Sequence, residues 1–364
     1  MKKQRVTMQD VAVKANVSKA SVSFAFNDPS RLSEPTLRRI MNVAQDLGYS
    51  SDPAARMLRT RRTNSLGILL PQQIHTILEN PYYSQFLQGV GQTCHAEGFS
   101  LLLVPPLRGS MLKAIPTAAV DGFVVSGLES DRGEVSALIQ RGVPFVLVDS
   151  ELRDDVPSVE IDDSEGVAEL VRHLLDLGHR KIAIVAFDTG TTGGYTNWRG
   201  PVRRRADGAI TALASQGLTP ESDGISLVEV ACTRAGGVAA FRELWAKGDR
   251  PTAIVTFSDI IALGVLDAAR EEGVSVPEEL SVTGFDDLPE ASWTFPALTT
   301  IRQPIVTKGR LAAEYLVEAI GAQQAPPNRP HRRLPTTLLM RESVAPPGVK
   351  QDSPDDRSVT TANI

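Results

Sequence analysis

From Ser65 onward the chain repeats one pattern, and that pattern limits the possible fold more than any other feature. SLGILLP, FSLLLVP, DGFVVSG, PFVLVD, KIAIVAF, ISLVEV, TAIVTF and LSVTGFD are short apolar runs rich in β-branched residues. Most alternate with stretches of helical period, at 82–97, 130–141, 162–177, 203–216, 234–247, 258–272 and 303–320. A strand that is apolar on both faces must be covered on both faces, the condition of a parallel sheet flanked by helices. The expected fold class is therefore α/β, with two parallel-sheet subdomains. Their expected bounds are 65–160, with 291–322 crossing back, and 161–290, with 323–345. The polar, Pro-containing tail at 346–364 is expected to be disordered.

The first sixty residues differ in kind. Thr7 and Asp10 form a helix-start signal, and Val11, Ala12 and Ala15 recur as one buried face requires. Asn16 can end that helix in a left-handed conformation, and Ser18 can cap the next. Ser33 starts a third helix with apolar positions Leu37, Ile40, Met41, Ala44 and Leu47, and Gly48 ends it. Two helices joined by a tight turn, with a third behind, make a helix-turn-helix head over 1–50. That context settles SVSFAF at 21–26, whose strict alternation otherwise reads as a strand. A lone strand between helices has nothing to pair with. Read as helix, the segment turns Val22 and Phe26 inward and displays Lys19, Ala20, Ser23, Phe24 and Asn27.

Charge follows the same division. Residues 1–62 hold 12 Lys/Arg against five acids, a net of +7, so the rest of the chain carries −12. A basic head on an acidic body points to nucleic acid at one end. Between them lies the linker SSDPAARMLRTRRTNS (51–64 in the expected division), in which Pro53 and AARMLR suit a helix of about two turns, too short to be stable alone and suited to folding on a partner.

Other classes find little support. Cys94 and Cys232 lack CxxC or Cys/His spacing, so neither a disulfide framework nor a metal site is expected. No apolar run reaches the length of a membrane span, and the basic start has no uninterrupted apolar stretch of the signal-peptide kind. A cytoplasmic, nucleoid-associated protein with no membrane partner is expected. There is no P-loop, no GxGxxG after the first strand and no GxSxG elbow, and GTTGG at 190–194 has the wrong spacing for a phosphate loop. His173 and His179 read as structural. No catalytic residue, enzyme activity or cofactor is expected.

TMQDVAVKANVSKASVSFAFN and LGYSSDPAARMLRTRRTNSLGILLP resemble the N-terminus of lactose-repressor (LacI/GalR) family transcription regulators. The resemblance continues through NPYYSQFLQGV, FVLVDSE, LLDLGHRKIAIV, VPEELSVTGFDDLP, PALTTIRQP and LPTTLLMRES, eight segments in order across about residues 6–347. It implies a repressor that binds a palindromic operator as a homodimer, in some members a dimer of dimers. It also implies a periplasmic-binding-protein-like core that takes a small-molecule effector, a sugar or related metabolite, between its subdomains.

The resemblance assigns residues as well. Lys19 and Ala20 match the base-reading pair, Lys suited to guanine O6/N7 and Ala to a thymine methyl. Thr7, Ser18, Ser21, Ser23 and Asn27 are donors suited to phosphate, although each serine reads equally well as a cap or a solvated hydroxyl. Many relatives carry Arg where this chain has Phe24, which removes a major-groove donor. In the matched hinge helix, Ala54 and Ala55 permit close approach of two helices, Leu58 takes the wedge position between base steps, and Arg59 with its basic neighbours favours phosphate.

For the effector, Asp149 and Asp286 end strands at the sheets' carboxyl edges, where open α/β folds bind ligands. Arg205 matches the effector-binding arginine, and Tyr82 and Tyr83 match lining positions. Asp149 and Asp286 also read as strand-end turn residues, and Arg205 as a solvated helix-start cation beside Arg203 and Arg204. Ser258 stands where sugar-binding relatives often have Asn, Cys232 where some have a stacking aromatic, and 105–120 is short for the helix usual there. These departures leave sugar and purine both open. The rival class, a free-standing sugar-binding protein of the transport type, shares the core but has no use for the basic head.

Overall fold

The computed structural model describes residues 6–50, 57, 58, 60–127, 133–151, 153–188, 194–322 and 330–348. Ala54, Ala55, Arg56, Arg59, the glycines of the 190–193 loop and the tail from 349 lie outside the described residues. The chain divides into two compact units, 1–63 and 64–364.

In the first unit, α1 (Met8–Ala15) begins with a reciprocal capping box. The Thr7 backbone N–H and hydroxyl both donate to Asp10 Oδ2 at 2.8 Å, and the Asp10 N–H donates back to the Thr7 hydroxyl. Asn16 ends the helix at φ 50°, and Ser18 Oγ accepts the Ser21 N–H at 3.0 Å to open α2 (Lys19–Asn27). The alternating segment is helix. Val22 and Ala25 are buried with Val11, Ala12, Ala15, Ile40 and Ala44, while Phe26 is half-buried, edge-on to Tyr49 at 5.4 Å. Phe26 packs against this cluster one turn after Val22, as its helical spacing requires, and Ala25 joins the buried face beside it. In α3 (Glu34–Leu47) Met41 turns outward, and Ser33 makes no side-chain cap; its hydroxyl meets that of Thr36 at 2.9 Å.

The second unit contains two six-stranded sheets. The first comprises β1 (Ser65–Leu69), β2 (Ser100–Val104), β3 (Gly122–Ser126), β4 (Phe145–Val148) and β5 (Ser158–Ile161), joined by β11 (His331–Leu334). Its order is β11-β5-β4-β3-β1-β2, and every pair is parallel. The second comprises β6 (Ile182–Phe187), β7 (Ile225–Val230), β8 (Ala253–Thr256), β9 (Ser281–Asp286), β10 (Thr299–Arg302) and β12 (Thr337–Leu339), in the order β12-β10-β9-β8-β6-β7. Only β12 runs antiparallel there. The eight apolar runs form β1–β4 and β6–β9; six of them are inner strands buried on both faces, while β2 and β7 close the sheet edges and are only partly buried.

Two boundary expectations are corrected. Residues 291–322 do not all return to the first sheet: β10 pairs with β9 in the second, and the chain crosses only before the helix Ile305–Gly321, which packs on the helix Pro81–Glu97. Nor do 323–345 all belong to the second, since β11 pairs with β5 before β12 crosses again. Backbone pairing decides both cases, and a strand of four residues carries too little period to announce its partner. The segment after β2 holds only the four-residue helix Met111–Ala114. The buried His179 bonds through its ring nitrogens to the Thr252 hydroxyl and the Ala345 carbonyl, a structural tie.

Candidate functional site

A cleft of about 390 Å³ opens at the carboxyl ends of both sheets, where connections leave the strands. Tyr82, Tyr83, Asp149, Arg205, Cys232, Ser258 and Asp286 all line it, brought together from positions scattered over two hundred residues of chain. Asp149 follows β4 and Asp286 ends β9, both at positive φ (49° and 129°). Such backbone costs on the order of 1–3 kcal/mol and persists where surrounding contacts over-determine it.

The contacts are specific. Asp149 Oδ2 accepts from Lys308 Nζ at 2.5 Å and from the Tyr82 hydroxyl at 3.1 Å. Lys308, on the helix Ile305–Gly321, is fully buried and also donates to Gln303 Oε1 at 2.5 Å. Gln303 Nε2 donates to Asp286 Oδ1 at 2.6 Å, and Ser258 Oγ donates to Asp286 Oδ2 at 2.8 Å. Asp149 Oδ1 is buried with no hydrogen-bond partner among the described residues. A buried acceptor left open at a cleft wall is suited to a ligand's hydroxyl or amine.

Arg205 is held in place. Its Nε donates to Asp163 Oδ1 at 2.8 Å, its Nη1 donates to the Phe257 carbonyl, and the guanidinium lies 3.7 Å over the Phe285 ring. Asp163 is fully buried and also accepts from Arg204. The helix Gly200–Ala214 reaches this depth because Gly208 packs directly on the Ser164 carbonyl, where a Cβ would stand 2.0 Å from the oxygen. Asn80 caps the helix Pro81–Glu97 through Tyr82 N–H and reaches Cys232 Sγ at 3.7 Å from the other half of the core.

Protonation follows from these surroundings. Burial raises the Asp149 carboxyl, but the charge and hydrogen bond of Lys308, then Arg204 and Arg205, outweigh it and hold the group below its ordinary value. Burial dominates at Asp286, which stays above its ordinary value despite Arg205, Ser258 and Gln303. Behind it, Asp259 is pushed up to about 8, first by burial and then by the charge of Asp286. Asp259 sits in a tight recess, with a Cβ on Gly284 standing 2.0 Å from its Oδ1. Burial likewise pushes the Cys232 thiol up to about 12 and raises both tyrosines, so all three are neutral donors or acceptors at neutral pH.

Sequence reasoning missed Lys308, Gln303, Asp163, Asp259 and Asn80. Lys308 did leave a signal: it falls on the apolar face defined by Ile305, Gly309, Ala312, Ala313 and Leu316, where a lysine has no place unless paired.

The residues assigned to DNA are on the first unit. Ser18, Lys19 and Ala20 are exposed at the start of α2. Phe24 is half-buried outside the head core, under the Arg31 guanidinium at 5.1 Å. Thr7 uses its hydroxyl hydrogen within the capping box. The Asn27 amide donates to the Ser23 carbonyl at 2.5 Å, and the Ser18 and Ser21 hydroxyls share one bond at 2.9 Å, leaving one hydrogen of that pair for another acceptor. Leu58 is 85% exposed.

The model for bacterial regulatory proteins of the lacI family matches residues 7–52, and that for a periplasmic binding protein-like domain matches 171–344. The HTH-type transcriptional regulator Rv3575c of Mycobacterium tuberculosis is 34% identical over 333 residues, covering 87% of this chain and 91% of the relative. The chain belongs to the lacI family. It is a DNA-binding transcriptional regulator. Among solved structures, a transcriptional regulator CelR–cellobiose complex matches this lacI-family regulator with TM-score 0.68 and 27% identity, over 93% of this chain and all of that one. The lac repressor dimer bound to operator and the anti-inducer ONPF shares the fold (TM-score 0.78, 23% identity, 94% of this chain and all of that one). Among the described residues no helix is long and apolar enough to cross a membrane.

Proposed function

We propose that this lacI-family regulator is a repressor that binds a palindromic operator as a homodimer and is controlled by an uncharged, hydroxyl-rich effector in the cleft. The observation that carries the effector reading is the open Asp149 Oδ1 in a cleft where Asp286 has both oxygens occupied. With Asp149, Asp286 and Arg205 already bonded within the protein, these groups offer hydrogen bonds to what enters. The cellobiose complex of the similar CelR regulator supports a sugar over a purine.

On the DNA side, exposed Lys19 and Ala20 are the proposed base readers and exposed Leu58 the proposed wedge. In a salt-titrated mobility-shift assay, Leu58→Ser is expected to weaken operator binding about tenfold or more, ~1.4 kcal/mol, with effector binding unchanged. Unchanged operator affinity would remove the wedge role. Phe24→Arg tests the recognition face, since Phe24 stands outside the head core. It is expected to shift selected operators toward guanine at one half-site position, by about 1–3 kcal/mol of discrimination, without unfolding the head. Loss of the head's helical circular-dichroism signal instead would make Phe24 a packing residue.

A further inference from the structure

Lys308 is the least expected residue in the core: a fully buried cation that does not itself line the cleft. All of its short contacts are polar, to Asp149 Oδ2 and Gln303 Oε1 at 2.5 Å and to the Tyr82 hydroxyl at 3.4 Å, which accounts for its three hydrogens. Through Gln303 and Asp286 the same chain of bonds reaches Ser258. It therefore runs from the end of β4 in one sheet to the end of β9 in the other, passing through the segment where the chain crosses between them.

We propose that Lys308 is the positioning residue of the effector site: it holds Asp149 as a charged acceptor, aligns its open Oδ1, and ties that acceptor to the second sheet through Gln303 and Asp286. This rests on the cleft being the effector site. A buried carboxylate without a counterion takes up a proton, and a protonated Asp149 offers a weaker acceptor. The other groups facing Asp149 are Tyr82 and Tyr83 from the helix Pro81–Glu97, Arg204 and Arg205 from the helix Gly200–Ala214, and Asp286 from β9. Arg204 and Arg205 are already engaged by Asp163, so their charges are shared. Lys308 is the only cation in hydrogen-bond contact with Asp149 among the described residues.

The test uses full-length protein and needs no known effector. Urea unfolding of wild type, Lys308→Met and the double variant Lys308→Met/Asp149→Asn is followed from pH 5 to 8. In wild type the Asp149 carboxylate is already charged when folded, so it adds no loss of stability as pH rises. In Lys308→Met the folded Asp149 holds a proton that the unfolded chain releases. The deficit relative to wild type then grows with pH, by up to about tenfold in the folding constant per unit. The double variant should lose that extra slope and regain part of the stability. Lys308→Gln, which keeps a donor toward Asp149, replaces Lys308→Met if the latter does not fold. A deficit equal at pH 5 and 8, or a double variant no better than the single, overturns the assignment. Calorimetric titration with cellobiose and ribose separates the two claims. Where either binds, Lys308→Met should weaken it tenfold or more, and unchanged affinity contradicts the positioning role. Binding of neither by wild type, with the pH pattern intact, counts against the sugar reading alone.

Discussion

Asp149 and Asp286 occupy matching places, after the fourth strand of one sheet's run and at the end of the fourth of the other's, both on positive-φ backbone. Their surroundings make them different groups. Asp149 faces a lysine and is charged with one oxygen open; Asp286 is enclosed by neutral donors and held upward in pKa with both oxygens taken. The lesson is that a strand-end aspartate at a cleft is defined by what approaches it from other elements. One leaves an acceptor open to the cleft, and the other has both oxygens tied into its wall.

Breaking the comparison at Asp149 has the largest expected effect. Asp149→Ala strands Lys308 as an unpaired buried charge and should cost about 3–5 kcal/mol by urea unfolding. Its loss of effector binding is therefore informative only beside a stability measurement. Asp286→Asn keeps partners for Ser258 and Gln303 and should cost about 1 kcal/mol or less. Equal costs at the two positions would erase the asymmetry.

A separate effect concerns pH. Folded Asp259 titrates at about 8, far above its unfolded value, so between pH 4 and 8 the folded state keeps a proton that the unfolded state has released. Its contribution to stability therefore falls as pH rises through that window. Asp259→Asn should flatten this part of the profile, and Asp286→Asn should reduce it by removing the charge that helps to raise Asp259. A profile unchanged in Asp259→Asn would mean that Asp259 is ionised in the folded core.

The eight apolar strands and the cleft-lining side chains were legible because burial imposes an apolar composition and strand ends at a carboxyl edge impose a location. The runs from SLGILLP to LSVTGFD satisfied the first, and Asp149 and Asp286 the second. SVEI, TTIR, HRRL and TLL, which form β5, β10, β11 and β12, are three or four residues long, and HRRL is mostly exposed at a sheet edge. Such strands exist through pairing, which no local pattern records. Lys308, Gln303 and Asp163 were hidden for a related reason, since each matters through distant partners, as much as 226 positions away for Lys308. In the head, the caps at Thr7, Asn16 and Ser18 were readable because both partners lie within four residues.

Under the proposed function, occupancy at Asp149 changes the grip on DNA. The direct measurement is a fluorescence-anisotropy titration of a duplex selected by the full-length protein from random DNA, with and without a mixture of neutral sugars including cellobiose and ribose. Wild type should bind specifically, with affinity falling as salt rises. The sugar should move its midpoint, and the same addition should leave Asp149→Asn where it was. A midpoint that no sugar moves, or one that moves equally in Asp149→Asn, would contradict the account.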